Sequence, residues 1–202
     1  RTRMPDGTIT HNSWASSAVT DTQARANPTI IDVPVHLLVD GTNTIAVETH
    51  LNYRAAPNIT IDLQATLTTN TSGTTTTTTP TTSTTTTSTT STTTTTLPPG
   101  GESTTTPIPF ESTWQYRYDL AAPPANWATT GFDDSTWDTG AAPIGWGSNN
   151  LTTDINRPTT ERPLTVYHRG AIDITNAANA TELELTVIIN DGAVIYVNGT
   201  EV

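Results

Sequence analysis

The sequence predicts an all-β protein in which a threonine-rich segment separates two half-domains. Three observations lead to this prediction. Several short segments alternate apolar and polar residues with the period of two that is typical of strands. Only a possible helical turn around residues 175–180 has a helical period of 3.6 residues. The middle of the chain is almost entirely Thr and Ser, and Thr makes up about a quarter of all residues.

The first half-domain, residues 1–69, contains three segments with the pattern of strands. Residues 44–50 alternate as a half-buried strand does, after the turn-forming residues 40–43. In residues 59–67 an apolar side chain recurs at every second position. Residues 30–39 are extended but contain Pro34, which favours an edge strand because proline has no N–H for the ladder.

The second half-domain, residues 107–202, is also β-like. Strands are predicted around residues 114–120 and 164–173. The sequence Asn190-Asp191-Gly192 predicts a hairpin, because Asn and Gly tolerate a positive φ. A second turn is predicted at Asn198-Gly199.

The linker between the half-domains, residues 70–106, has no apolar face to bury. Every residue from 74 to 96 is Thr or Ser except Pro80. Such a segment cannot offset the entropy cost of folding, and Ser/Thr-rich segments with proline are typical of O-glycosylated stalks. An unmodified flexible spacer is the alternative. The candidate attachment sites are Thr74, Thr75, Thr84, Thr85, Thr92 and, for an N-linked glycan, Asn70.

Composition excludes several classes of function. The net charge of -11 argues against nucleic acid or an anionic membrane as a partner. All eight basic residues are arginine and there is no cysteine, which excludes Schiff-base chemistry and thiolate sites. No apolar run approaches the ~20 residues of a membrane helix. Because it begins at Arg1 without a signal peptide, we expect the sequence to be part of a longer protein.

The pattern of polar residues predicts no catalytic or cofactor-binding residues. The four histidines are far apart and lack metal-site spacing, and no Gly-x-Ser-x-Gly motif is present. Adjacent side chains in extended backbone point to opposite faces, so Asp133 and Asp134 are poorly placed to share one proton in acid–base or metal chemistry. A structural calcium held by Asp191 and Asp154 is an alternative to a plain hairpin turn at residues 190–192.

Two of the five tryptophans are candidates for exposure. Trp14 and Trp146 lie in loop-like sequence, where an exposed indole can stack on a sugar ring or pack against a neighbouring module.

Three longer motifs carry a resemblance to a known family. Residues 132–147, 166–169 and 191–202 together resemble the galactose-binding-like β-sandwich module of secreted bacterial phosphatases and surface proteins. The resemblance implies a jelly-roll fold and a turn at Asp133-Asp134 that orients the nearby tryptophans. It also implies core positions for Trp114, Trp127 and Trp137. In that family, segments similar to residues 3–7 and 38–50 follow the counterpart of residues 191–202, whereas here they precede it. Asn190 and His168 depart from the family, which usually has aspartate and phenylalanine at these places.

The resemblance therefore implies a module whose two halves stand in permuted order. The halves can fold together in one chain, belong to successive modules of a tandem array, or complete one another between separate subunits. Head-to-tail completion between identical copies would generate a filament. We thus expect a non-enzymatic, extracellular filament or surface-fibre subunit whose linker carries covalently attached glycans. The alternative is a carbohydrate-binding or adhesive module of a larger secreted protein.

Overall fold

The computed structural model describes residues 1–71 and 100–202, and these form two β-sheets. One short helix, α1 (Asp21–Ala26), precedes the first strand. The strands are β1 (Thr29–Val33), β2 (Gly41–His50), β3 (Ile59–Asn70), β4 (Glu102–Ile108), β5 (Thr113–Arg117), β6 (Asp138–Ala141), β7 (Ile144–Trp146), β8 (Thr153–Asp154), β9 (Thr165–Ile174), β10 (Ala180–Asn190), β11 (Gly192–Val197) and β12 (Thr200–Glu201). Two 3₁₀ turns, Val35–Leu37 and Ala177–Asn179, complete the described elements.

The two sheets form a sandwich, which confirms the all-β prediction. The first sheet, sheet A, has the strand order β12-β11-β2-β9-β5-β6. The second, sheet B, has the order β1-β10-β3-β7-β8, with β4 paired to β3 near the end of that strand. All pairs are antiparallel except β7 with β8. In the described part of the chain, no helix has the length and apolarity needed to cross a membrane.

The main core lies between the facing surfaces of the two sheets. Sheet A contributes Ile45, Val47 and Ile195, and sheet B contributes Leu63 and Leu185, all without exposed surface. The period of two predicted for residues 59–67 thus places its apolar positions in the core. The edge position predicted for residues 30–39 is also confirmed, because β1 ends the sheet and stops immediately before Pro34.

β2 differs from its prediction as a half-buried strand because residues 43–50 are buried on both faces. Part of its outer face is covered by residues 127–137, whose Trp127 and Trp137 pack with Ala46 and Tyr167. The alternation of apolar and polar residues in β2 therefore distinguishes two buried environments. One is the apolar core, and the other is a layer that contains polar side chains.

The predicted hairpin at Asn190-Asp191-Gly192 is wrong. β10 belongs to sheet B and β11 to sheet A, so the chain crosses between the sheets at Asp191. A Cβ at Gly192 would lie 2.7 Å from the Cβ of Ala15 and 2.8 Å from the carbonyl oxygen of Arg3. Glycine is required there by the close approach of the N-terminal segment. The turn at Asn198-Gly199 is confirmed and joins β11 to β12, with φ values of 51° and 85°.

Helix α1 was not predicted from the sequence, although a local signal for it exists. Thr20 and Gln23 form a capping box, in which the Thr20 hydroxyl accepts from the Gln23 backbone and the Gln23 side chain accepts from the Thr20 backbone. Only Ala24 is buried in this six-residue helix, so no apolar periodicity marks it.

Candidate functional site

The two half-domains contact each other through strand pairs in both sheets, and we call this contact the seam. On one side lies the N-half, residues 1–71, and on the other the C-half, residues 100–202. β1 and β3 pair in sheet B only with C-half strands, and β2 lies in sheet A between β11 and β9. No two strands of the N-half pair with each other, whereas the C-half has internal pairs such as β5 with β9 and β11 with β12.

The chain ends of the two halves meet at both sides of the seam. The Arg1 amino group donates to the Val202 carbonyl oxygen over 2.6 Å, and the Arg1 side chain pairs with Glu201. At the other junction, Asn70 lies opposite Glu102 in the β3–β4 ladder. The linker therefore leaves the sandwich and returns to it at neighbouring positions.

Asp191 joins the crossover between the sheets to two N-half loops. Its two carboxylate oxygens accept from the backbone N–H groups of Val19 and Asn52, each over 3.0 Å. The Arg3 guanidinium donates to the carbonyl oxygens of Asp191 and Ile189. Burial raises the pKa of Asp191, although these hydrogen bonds and Arg3 oppose the shift.

The outer face of sheet A contains buried polar contacts across the seam. Tyr196 donates to Glu48 over 2.7 Å, and the pKa of Tyr196 is raised by burial and by the nearby Glu48 carboxylate. His50 Nδ1 lies 3.0 Å from both the Ser13 carbonyl oxygen and the Thr165 hydroxyl. Its Nε2 lies 3.6 Å from a Glu48 oxygen.

Aromatic side chains close this outer layer. His11 is stacked on Tyr167 with a centroid separation of 5.8 Å, and its Nδ1 lies 3.1 Å from the Tyr167 hydroxyl. The Trp127 ring forms T-shaped contacts with the rings of Tyr167 and Tyr196. Burial lowers the pKa of His11, so the neutral imidazole is favoured in this contact.

The Asp133-Asp134 pair is divided between two contacts, as expected for adjacent side chains. Asp133 accepts from the backbone of Ser135, whereas Asp134 accepts from Arg169 Nε over 2.7 Å. Arg169 also donates to the carbonyl oxygens of Trp127 and Thr129. These contacts fix the tryptophan-bearing loop to sheet A and fit the interpretation of the pair as an orienting turn.

The two tryptophans predicted for sugar stacking have different environments. Trp14 is 37% exposed, as expected, with the Arg54 guanidinium carbon 5.9 Å from its ring centroid. The prediction that Trp146 is exposed is wrong, because its side chain has 0% exposure. Trp146 lies in β7 rather than a loop, and its Nε1–H donates to the Tyr118 hydroxyl. It cannot offer an indole face to a sugar.

The three core tryptophans are confirmed. Trp114, Trp127 and Trp137 are each less than a tenth exposed. Trp114 belongs to the main core between the sheets, and the other two belong to the outer layer on sheet A.

The two aspartates proposed for calcium do not share a group of converging carboxylates. In the described residues such a group consists of Asp32, Glu182 and Glu184, on the paired strands β1 and β10. Asp191 already accepts two backbone hydrogen bonds, and Asp154 accepts one from Asn156. Calcium binding by Asp191 and Asp154 stays a prediction.

The glycosylation candidates lie mostly beyond the described ranges. Asn70 is exposed at the end of β3, which is compatible with a modified side chain. The threonine candidates all fall in the linker outside the described residues, namely Thr74, Thr75, Thr84, Thr85 and Thr92.

Sequence reasoning missed the polar contacts of the seam. Glu48 and His50 lie two residues apart on one face of a strand, and this spacing predicts only that the face is polar. It gives no sign that both side chains are buried. Arg3 and Asp191 are separated by almost the whole chain, so spacing gives no signal for their contact. The permuted order implied by the resemblance is the signal that places residues 3–7 after residues 191–202.

Comparisons with known proteins returned no match to any family model, curated protein or solved structure. The resemblance to the galactose-binding-like module therefore stays a prediction.

Proposed function

We propose that this protein is a non-enzymatic structural subunit of an extracellular filament or surface fibre. In this proposal the C-half of one copy is completed by the N-half of the next, and glycans on the linker coat the assembly. The absence of any strand pair within the N-half carries the proposal. This half needs a C-half to complete its sheets, and the contacts are the same whether that C-half belongs to its own chain or another.

Exchange between copies keeps every contact of the seam. The ladder hydrogen bonds, the Asp191 contacts and the Arg1–Glu201 ion pair would all form in the completed sandwich of two copies. Only the path of the linker changes. Self-closure benefits from the high effective concentration of the tethered half, whereas exchange is favoured at high protein concentration or in tandem repeats. Head-to-tail exchange remains open and so extends indefinitely.

A jelly-roll arrangement of the strands belongs to the same proposal. Residues 100–202 followed by residues 1–71 would give one module in the strand order of the galactose-binding-like family. The close approach of Arg1 and Val202 supports that order, because the two residues would be consecutive in such a module.

A disulfide across the seam tests the proposal directly, because the chain has no native cysteine. Thr42 and Asp173 are exposed, directly opposite each other on β2 and β9, and belong to different halves. Opposed cross-strand residues lie within the range that a disulfide spans. In the double variant Thr42→Cys/Asp173→Cys, oxidation of assembled protein should give a ladder of covalent multimers on a denaturing, non-reducing gel.

The matched control places both cysteines in the C-half. Gln115 and Thr139 are opposite each other on β5 and β6, so Gln115→Cys/Thr139→Cys should give only monomers in either arrangement. A monomer band from the seam variant at high concentration contradicts the filament. A dimer band alone means reciprocal exchange and also contradicts an open assembly.

The second candidate function is a carbohydrate-binding or adhesive module. The partly exposed Trp14 favours it, and Tyr53, the residue before the Arg54 that packs over Trp14, is 47% exposed. Loss of glycan-array binding in Trp14→Ala would support this function, and a wild-type protein that binds no glycan would contradict it. Tyr53→Ala tests whether both aromatic residues contribute.

A further inference from the structure

Three of the eight arginines lie close together at one end of the sandwich. Arg157 and Arg162 place their guanidinium carbons 5.1 Å and 5.0 Å from the Trp146 ring centroid. Arg162 Nη1 donates to the Arg54 carbonyl oxygen over 2.6 Å, and Arg54 Nη1 lies 3.4 Å from the Arg162 carbonyl oxygen. We call these three residues the arginine cluster.

The arginine cluster has no acidic partner in the described part of the chain. Arg1, Arg117 and Arg169 each form an ion pair with a carboxylate, but no Asp or Glu oxygen lies within 4.0 Å of a cluster guanidinium. The pKa of Arg162 is lowered by burial and by the positive charges of Arg157 and Arg54. An anion placed between them would remove this repulsion.

The cluster also has hydrogen-bond donors to offer. Arg162 Nε is buried without a partner among the described residues. Arg157 is exposed, and its guanidinium makes no hydrogen bond within residues 1–71 and 100–202. A guanidinium presents paired N–H groups that match the two oxygens of a carboxylate. An anionic ligand at the cluster would supply an acceptor for these donors and would neutralise their charge.

Aromatic surface lies beside the cluster. Arg54 packs over Trp14, which is 37% exposed, and Tyr53 is 47% exposed. Exposed aromatic rings stack on the apolar face of a ring-shaped ligand, and the neighbouring polar groups fix its orientation. Guanidinium donors next to a free indole suit a sugar that carries one carboxylate.

We propose that the arginine cluster and Trp14 bind the carboxylate-bearing ring of an acidic sugar, of the uronic acid class. The carboxylate would lie between Arg157 and Arg162, and the sugar ring would contact Trp14. Arg54 comes from the N-half and the other two arginines from the C-half, so the site is complete only when the seam is closed. The site rests on the second candidate function, sugar binding at Trp14, and does not depend on exchange between copies.

Calorimetric titration of the full chain with tri-galacturonate tests the proposal, with its fully methyl-esterified form as the uncharged probe. We expect binding of the acid and at least tenfold weaker binding of the ester. Arg157→Gln should weaken binding of the acid by about tenfold, since charge-assisted bidentate contacts are lost. Arg157 is exposed and its guanidinium makes no hydrogen bond in the described structure, so the variant removes only its contact with the Trp146 ring, and an unchanged urea midpoint shows that the fold is kept.

Arg25→Gln is the matched control because it removes one exposed arginine that forms no ion pair in the described residues. Equal weakening by Arg25→Gln would overturn the site in favour of general charge attraction. Equal binding of acid and ester, or no binding, would also overturn it. Hexaglutamate is the peptide probe. If it binds as tightly as tri-galacturonate, and if Trp14→Ala weakens neither, the sugar proposal is overturned and the ligand is an acidic peptide.

Discussion

The two halves of the sandwich differ in what they can form alone. The C-half contains four internal strand pairs, among them β5 with β9 and β7 with β8. The N-half contains none, and its three strands are inserted at separate places in the two sheets. The C-half is thus a partial framework, and the N-half supplies the strands that complete it.

The sandwich therefore needs both halves for its stability, but the two halves need not be joined covalently. Two central strands, β2 and β3, come from the N-half, so the apolar core cannot form without it. Across the described residues, the halves need no direct covalent bond, because the contacts between them are strand ladders, apolar packing and buried polar groups. A fold of this kind can close on itself or be completed by a partner with little change in contact energy.

The largest expected effect comes from a charged residue placed in the core of either half. Leu63→Asp disrupts the N-half and Leu185→Asp disrupts the C-half, and both side chains have 0% exposure in the native protein. Each variant alone should be unfolded, because a buried unpaired carboxylate costs about as much as the whole stability of a domain. If halves exchange, a mixture of the two should recover native sandwiches, up to half of the total, measured by tryptophan fluorescence.

The control for this experiment mixes two variants with lesions in the same half. Val47 is also fully buried in the N-half, so a mixture of Leu63→Asp and Val47→Asp offers no intact N-half. It should remain unfolded. Equal recovery in both mixtures would contradict completion between copies, as would the absence of recovery in the first mixture.

The next effect concerns the contact of Asp191 with the N-half. Asp191→Ala leaves the backbone N–H groups of Val19 and Asn52 without acceptors, at a cost of about 2–3 kcal/mol in the free energy of unfolding. Urea unfolding measures this change. Asp119→Ala is the control, because Asp119 is exposed and its contacts lie within the C-half. It should cost no more than about 0.5 kcal/mol. Equal costs would mean that the seam has no special dependence on Asp191.

The strands could be predicted from sequence where one face meets the core. The period of two in residues 59–67 identified β3, and Pro34 identified the edge position of β1. These are local consequences of the pleat and of the missing proline N–H. The same reasoning underestimated the burial of β2, because a second layer covers its polar face and is formed by residues far away in sequence.

The failures arose where distant segments determine the local structure. Asn190-Asp191-Gly192 has the composition of a tight turn, yet Gly192 is needed because Ala15 and Arg3 approach it closely. Trp146 follows turn-forming residues but enters sheet B, where it pairs with Ile59 of the N-half. The candidate site was equally hard to predict, since its polar contacts join residues more than a hundred positions apart.

A smaller effect at neutral pH is expected at His168, which is 2% exposed and whose Nε2 lies 3.5 Å from the Thr49 hydroxyl. Burial lowers its pKa to about 3, and its Nδ1 has no partner within the described residues. The unfolded chain binds a proton at His168 below its pKa of about 6.5, whereas the folded protein does so only near pH 3. The folded protein is therefore most stable, as far as His168 is concerned, above pH 6.5, and it loses stability as the pH falls towards 3. His168→Phe should therefore raise the free energy of unfolding by about 1 kcal/mol at neutral pH, since it removes an unsatisfied buried nitrogen.

The pH dependence of the same variant provides the sharper test. At pH 4 its advantage over the native protein should grow by about 3 kcal/mol, because only the native protein then carries the cost of keeping His168 neutral. The raised pKa values of Asp62 and Asp191 have the opposite sign and favour the fold as the pH falls. Both groups are present in both proteins, so the difference isolates His168. Urea denaturation at the two pH values measures it, and parallel pH profiles would contradict the assignment.

The smallest effect is expected where the seam is exposed to solvent. Glu201 pairs with Arg1, but an exposed ion pair gains little because water and salt screen it. Glu201→Gln should leave the urea midpoint unchanged within error at physiological salt, in contrast to Asp191→Ala. A midpoint shift comparable to that of Asp191→Ala would mean that the exposed chain ends hold the halves together. The buried ladders and polar contacts would then no longer explain why the N-half binds the C-half.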